Sequence, residues 1–197
     1  MKSLRYYTIC EDIAHQTFID AFLKHQSKQQ KEVEFKFHSP QNIPFKFSNK
    51  SDVLNFYAAA APRLFNIENI DLLFIVVDYD SDDVNEFEAK HISLMEPIKT
   101  YQNKTLILLP VQAIEFWFWH IKWKHDNPNS TRNISIDKRN RNEMKIEIYG
   151  TKKPKQELSK SKVEEVMQWY EEAWLNSRSK SFRHFLVTFK RYLVKQT

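Results

Sequence analysis

Leu72-Leu73-Phe74-Ile75-Val76-Val77, followed at once by Asp78-Tyr79-Asp80-Ser81-Asp82-Asp83, is the stretch that decides the fold. A continuous apolar run of strand length, rich in branched residues and cut off by acids, is the signature of a central parallel strand buried on both faces. The neighbouring segments alternate in type around it. Leu4–Cys10 is β-rich, and Ile13, Phe18, Phe22 and Leu23 follow at helical spacing. Val33, Phe35 and Phe37 alternate with polar residues as in a half-buried strand. Ser51 or Asp52 can cap a helix carrying Val53, Leu54, Tyr57 and Ala58.

Beyond the acidic stretch a helix starting near Asp82 is expected, with Phe87, His91, Leu94 and Met95. Thr105–Leu109 is another short strand, closed by Pro110, and Ala113–Trp123 is a strongly aromatic helix. Residues 125–142 are polar, basic and aperiodic, and read as a loop. Met144, Ile146 and Ile148 alternate and suggest an edge strand over Met144–Tyr149, followed by a basic connector, Thr151–Ser159. Ser161 and Glu164 form a capping box for a helix with Val163, Val166, Met167, Tyr170 and Trp174 on one stripe. Ser181 opens a last helix carrying Phe182, Phe185, Leu186, Phe189 and Leu193. Strand–helix alternation of this kind implies an α/β fold with a mostly parallel sheet flanked by helices. The whole chain, 1–197, reads as a single domain: a core over about 4–124, the basic loop 125–142, and a C-terminal strand and helices over 143–197.

Composition narrows the chemistry. Among 197 residues there is one glycine, Gly150, which excludes a glycine-rich phosphate loop, a dinucleotide fingerprint and a nucleophile elbow. The single cysteine, Cys10, excludes an internal disulfide and suits a reducing, cytoplasmic compartment. No signal-peptide pattern is evident, and no run approaches the roughly 20 apolar residues of a membrane span. Charge is uneven. Residues 1–119 hold 12 Lys and Arg against 16 Asp and Glu, whereas residues 120–197 hold 18 against 9. An acidic half joined to a basic half suits a metal site beside a polyanion such as DNA or RNA, although surface charge on a lysine-rich protein explains it equally well.

Asp78-x-Asp80 is a short motif whose weight comes from position. Asp82 and Asp83 suit a helix N-terminus, but Asp78 is the first residue past the strand, and two carboxylates at i and i+2 can converge on one hard cation. Glu11 stands in the equivalent place after the first strand, with first-turn helix acid as the competing reading. Glu115, set in Ala113-Ile114-Glu115-Phe116-Trp117-Phe118-Trp119, is either a costly buried carboxylate that is paired or metal-bound, or a helix-start acid turned to solvent. His120 and His125 are five apart and share no helix face, so zinc has no support. Trp117, Trp169 and Trp174 read as core.

Tyr7-Thr8-Ile9-Cys10-Glu11 with Phe74-Ile75-Val76-Val77-Asp78-Tyr79-Asp80 resembles the Toprim pattern, a glutamate after the first strand and Asp-x-Asp after a later one. The pattern is shared by the OLD-type nucleases, and the nearest likeness is to small Toprim-like proteins of the RloB type, through Glu115-Phe116-Trp117-Phe118-Trp119-His120 and Ser181-Phe182-Arg183-His184-Phe185. The usual Glu-Gly is Glu11-Asp12 here, which adds a side chain and a negative charge. The resemblance implies a Toprim-like, Rossmann-like fold and a nuclease dependent on Mg2+ or Mn2+, in a bacterial defence setting. Glu11, Asp78 and Asp80 would hold the metal, and Glu115 would be a further catalytic carboxylate. Arg139, Arg141, Lys153 and Lys155 are the expected nucleic-acid contacts. The alternative is a non-catalytic Toprim-like subunit that binds a partner ATPase or nucleic acid. If Asp78 is a metal ligand repelled by Asp80, its removal should leave the metal-free protein unharmed.

Overall fold

The computed structural model describes residues 1–30, 32–81, 83–130 and 140–196. Four strands, β1 (Lys2–Cys10), β2 (Val33–Phe37), β3 (Leu72–Val76) and β4 (Thr105–Leu108), form one sheet in the order β2-β1-β3-β4, every pair parallel. The expected α/β class with a parallel sheet flanked by helices, and a helical C-terminal region, is what the chain adopts. The β3 run is buried along its whole length, and its residues divide by parity. Leu72, Phe74 and Val76 enter one core, Leu73, Ile75 and Val77 the other, because successive strand side chains point to opposite faces.

The helices separate onto those two faces. α2 (Lys50–Asn66) and α3 (Val84–Met95) cover one, with a 3-10 turn at Glu96–Tyr101. α1 (Ile13–Gln29), α4 (Glu115–Asp126), α5 (Arg141–Tyr149), α6 (Gln156–Met167), α7 (Glu172–Arg178) and α8 (Lys180–Val194) build the other. After β1 the chain leaves by α1 to β2 on one flank. After β2 it leaves by α2, on the opposite face, to β3 on the other flank. The connections therefore diverge between β1 and β3, and the carboxyl ends of those two strands frame the crevice where open α/β sheets collect ligands.

Several expected boundaries move. Met144–Tyr149 is the second half of helix α5, not an edge strand: Met144, Ile148 and Tyr149 are buried while Ile146 is 42% exposed, a helical stripe. Asn140 caps it by accepting from the Asn142 amide (2.8 Å), and Gly150, at φ 74°, ends it in the left-handed conformation that glycine favours. The alternating read was misled by Ile146, an apolar residue left in solvent. α6 begins at Gln156, inside the expected connector, so Ser161 lies within the helix and caps nothing; the stripe through Trp174 breaks between α6 and α7. Asn49 rather than Ser51 or Asp52 caps α2, with Asp52 answering through Ser48 and Asn49. Ser179 caps α8, while Ser181 is buried and accepts from Trp117 Nε1 (3.1 Å) and the Val111 amide (3.3 Å). Asp82 and much of the basic loop, 131–139, lie outside the described residues.

Among the described residues nothing lies within 4 Å of a Cβ built on Gly150, so substitution there strains only the backbone. Gly150→Ala is expected to lower stability by about 1–2 kcal/mol, measured by urea unfolding. An extended backbone here, as after an edge strand ending at Tyr149, would tolerate the change.

Candidate functional site

Each side chain at the crevice is delivered by a strand exit or a helix start. Glu11 and Asp12 follow β1, and Asp78 and Asp80 follow β3. Glu115 opens α4, Lys50 opens α2, Arg141 opens α5, and His15 lies in the first turn of α1. β3 and β4 continue to pair past their ends, through Val77 N to Leu108 O (3.1 Å) and Tyr79 N to Pro110 O (2.9 Å). This extension keeps Asp78 in register with Val76, so its carboxylate turns into the layer of α1, α4 and α5.

Asp78 is 1% exposed and both its oxygens are occupied. Oδ1 accepts from the Ile114 amide (3.0 Å) and meets His15 Nε2 (3.0 Å); Oδ2 accepts from Arg141 (2.5 Å). The same guanidinium reaches Asp80 Oδ1 (2.6 Å), and Lys50 Nζ joins Asp80 Oδ2 (2.5 Å) to the Asp78 carbonyl (2.5 Å). Glu11 Oε1 accepts from the Asp78 amide (2.7 Å), linking the β1 exit directly to the β3 exit. Two neighbouring residues are left-handed, Asp80 (φ 56°) and Gln112 (φ 58°), and the Gln112 amide bonds to Ser81 O (3.3 Å). Conformations of this kind persist only where the surroundings hold them and tend to gather at functional sites.

The electrostatics follow from burial. Glu11 is pushed up to about 7 by desolvation and then by the Asp78 charge, against smaller pulls from His15, the Asp78 amide and Lys50. Glu115, 2% exposed, is also raised by burial first and Asp78 second; Lys145 Nζ at 3.7 Å offsets part of this, and Oε2 has no hydrogen-bond partner among the described residues. Burial opposes charge on His15, but Asp12 and Asp78 outweigh it and hold the imidazole well above its ordinary range. Burial likewise acts to raise Asp12, yet its contacts with His15 hold it below the usual carboxylate range. Asp12 is therefore not a loose charge at the mouth. It caps α1 through the Ala14 and His15 amides (2.9 and 3.2 Å) and lies 3.2 Å from His15 Nδ1.

The expected carboxylates Glu11, Asp78, Asp80 and Glu115 thus come together, and Arg141 joins them as an ion-pair partner. Lys153 and Lys155 are exposed, before and at the N-cap of α6, without a described bond to the cluster. Arg139 lies outside the described residues. His15 and Lys50 escaped sequence reasoning. The available signals were a histidine one turn into the helix that follows Glu11, and a lysine at a helix start, and neither is specific.

Carboxylate oxygens are the donors that Mg2+ and Mn2+ prefer. As the side chains stand, however, no group of three or more His, Cys, Asp or Glu among the described residues is arranged to hold a metal ion. Arg141 and Lys50 supply the countercharge to Asp78 and Asp80 instead. The donor chemistry fits a hard divalent ion, in an arrangement where two side-chain cations now engage both aspartates. Comparison with protein-family models, with curated proteins and with solved structures returns no match.

Two measurements probe the cluster. The expectation that removing Asp78 spares the metal-free protein is at odds with its bonds: Asp78→Ala strands the Ile114 amide and takes one carboxylate from each of two cations, buried His15, left with Asp12, and half-buried Arg141, left with Asp80. A loss of about 3–5 kcal/mol is expected, against under about 1 kcal/mol for Asp80→Ala, whose side chain is 42% exposed; equal losses by chemical denaturation would sink this account. The second concerns Glu11. Because its folded pKa is raised from 4.5 to about 7, its contribution to stability is fully present below 4.5 and lost as pH rises through 7. Glu11→Gln keeps the acceptor without the charge, so wild type should weaken relative to the variant across that window, read from melting temperatures.

Proposed function

We propose that the protein is a divalent-metal-dependent nuclease of Toprim-like type, which hydrolyses phosphodiester bonds in DNA or RNA with Mg2+ or Mn2+, in keeping with a cytoplasmic role in bacterial defence. One observation carries the reading: carboxylates from the exits of two adjacent parallel strands, Glu11 and Asp78 with Asp80, converge at the point where the connections diverge to opposite faces. The bound ion would neutralise the scissile phosphate and lower the pKa of a water. Glu11 and Asp80 would hold it with Asp78, and Glu115, protonated more readily than an ordinary glutamate, is suited to hold or pass a proton at Oε2. Arg141 is 35% exposed on the first residue of α5, so it can turn from the aspartates toward a phosphate. Lys153 and Lys155 remain exposed cations for the nucleic-acid backbone. Among the described residues no helix is long and apolar enough to cross a membrane.

A second reading has its own support. Asp78 is fully engaged inside the protein, as expected if the acids are structural and the domain is a non-catalytic subunit that binds a partner ATPase or nucleic acid. Incubation with labelled single- and double-stranded DNA and RNA, with Mg2+, Mn2+ or EDTA, separates the two. Metal-dependent cleavage that falls at least a hundredfold in Asp80→Asn and Glu11→Gln, with neither variant melting appreciably below wild type, is the expected result. Absence of cleavage on every substrate, without a metal-induced rise in melting temperature, would leave the structural reading.

A further inference from the structure

Glu11 belongs to two places at once. Besides meeting Asp78, it lines an open cleft of about 550 Å3, within the range of roughly 300–1,000 Å3 common for small-ligand sites. The cleft exists because β2 stops short. Its last residue, Phe37, pairs with Tyr6, and the His38 amide closes the ladder on Tyr6 O (2.8 Å), so among the described residues the edge of β1 from Thr8 to Cys10 has no neighbouring strand on that side.

One wall of the cleft is aromatic, through Tyr7, Phe37, Phe45 and Phe47, and the rest is mixed, with the carboxylates of Glu11 and Asp12 at one side, Lys46 and an unsatisfied hydroxyl. Tyr7 and Phe37 stand with ring centroids 5.9 Å apart, and Phe45 lines the cleft while stacking on Phe56. Phe37 is 49% exposed, an apolar face that folding leaves in water. Thr8 also lines the cleft; it is 4% exposed, and its Oγ1 is buried with no hydrogen-bond partner among the described residues. Lys46 adds a positive charge that no described carboxylate pairs.

We infer that this cleft holds one unpaired nucleobase of a nucleic-acid strand whose neighbouring phosphate lies at the Glu11, Asp78 and Asp80 cluster. The inference rests on the nuclease reading and specifies its substrate as single-stranded or locally unpaired nucleic acid. Flat rings stack on aromatic side chains whatever their sequence, and a base has a polar edge for Thr8 Oγ1, which an aliphatic occupant lacks. Lys46 suits the adjoining phosphate. A base inside a duplex is stacked on both faces and must leave the helix before it can enter such a cleft.

The test measures binding, without metal, of a fluorescently labelled single-stranded oligonucleotide and of the same strand in a duplex. The single strand should bind more tightly. Phe37→Ala should weaken it about tenfold, within the range expected for one lost stacking contact, and leave the duplex unaffected. Thr8→Val, which replaces the unpartnered hydroxyl by a methyl, should weaken the single strand severalfold without lowering the melting temperature. Equal affinity for both forms, or no response to Phe37→Ala, overturns the inference. Single-strand binding that depends on Phe37, with no metal-dependent cleavage, upholds the base cleft and overturns the nuclease. Metal-dependent cleavage that ignores Phe37 and treats both forms alike upholds the nuclease and overturns the cleft.

Discussion

The Asp78 carboxylate is the constraint on which the rest of the site depends. It is buried and shared among three helices: His15 brings α1 to it, the Ile114 amide brings the start of α4, and Arg141 brings α5. A carboxylate taken out of water persists only if its lone pairs are satisfied, so the three elements are held to positions that satisfy them. The β1 exit is fixed to the same point from the backbone side, because Glu11 accepts the Asp78 amide.

That concentration of charge explains the neighbouring chemistry. Four carboxylates meet two well-placed cations, Arg141 and Lys50, with Lys145 at the edge. The deficit appears at half-buried Glu11 and buried Glu115, both raised, while Asp12 and Asp78 hold His15 well above its ordinary range. The site therefore combines acids that release protons reluctantly with a cation, Arg141, anchored at one end of a short helix. A further cation would compete with Arg141 and Lys50 for the carboxylate oxygens, and a phosphate would compete with the carboxylates for Arg141 and Lys50.

The layer behind the site is aromatic. Phe18 and Phe22 of α1 pack on Trp117 of α4 and on Phe182, Phe185 and Phe189 of α8, with centroid separations from 4.9 to 6.5 Å. Trp117 is part of this core, as helical spacing suggested, whereas Trp169 and Trp174 are only half-buried. Trp174 instead carries the Arg178 guanidinium over its ring (3.9 Å). The C-terminal helices thus complete the hydrophobic layer that holds α1 and α4, and with them His15 and Glu115, against the sheet.

The sequence by itself determined the sheet and the place of its acids. A strand buried on both faces must be apolar at every position, which makes Leu72–Val77 legible, and the acids that end such runs necessarily stand at strand exits, which places Glu11 and Asp78. Caps were misread: Asn49 and Ser179 cap α2 and α8 in place of the expected residues, and the Asn140 and Gly150 pair that brackets α5 was passed over because alternation through the exposed Ile146 spoke for a strand, and a nine-residue segment is too short for periodicity to arbitrate. Only the tertiary structure decided which cations meet the acids. Arg141 lies 63 residues from Asp78 and Lys50 28, in elements that pack on opposite faces of the sheet. No local pattern encodes such a pairing, because ion pairs form through space and leave no period in the chain, whereas the burial of a strand or a helix face does.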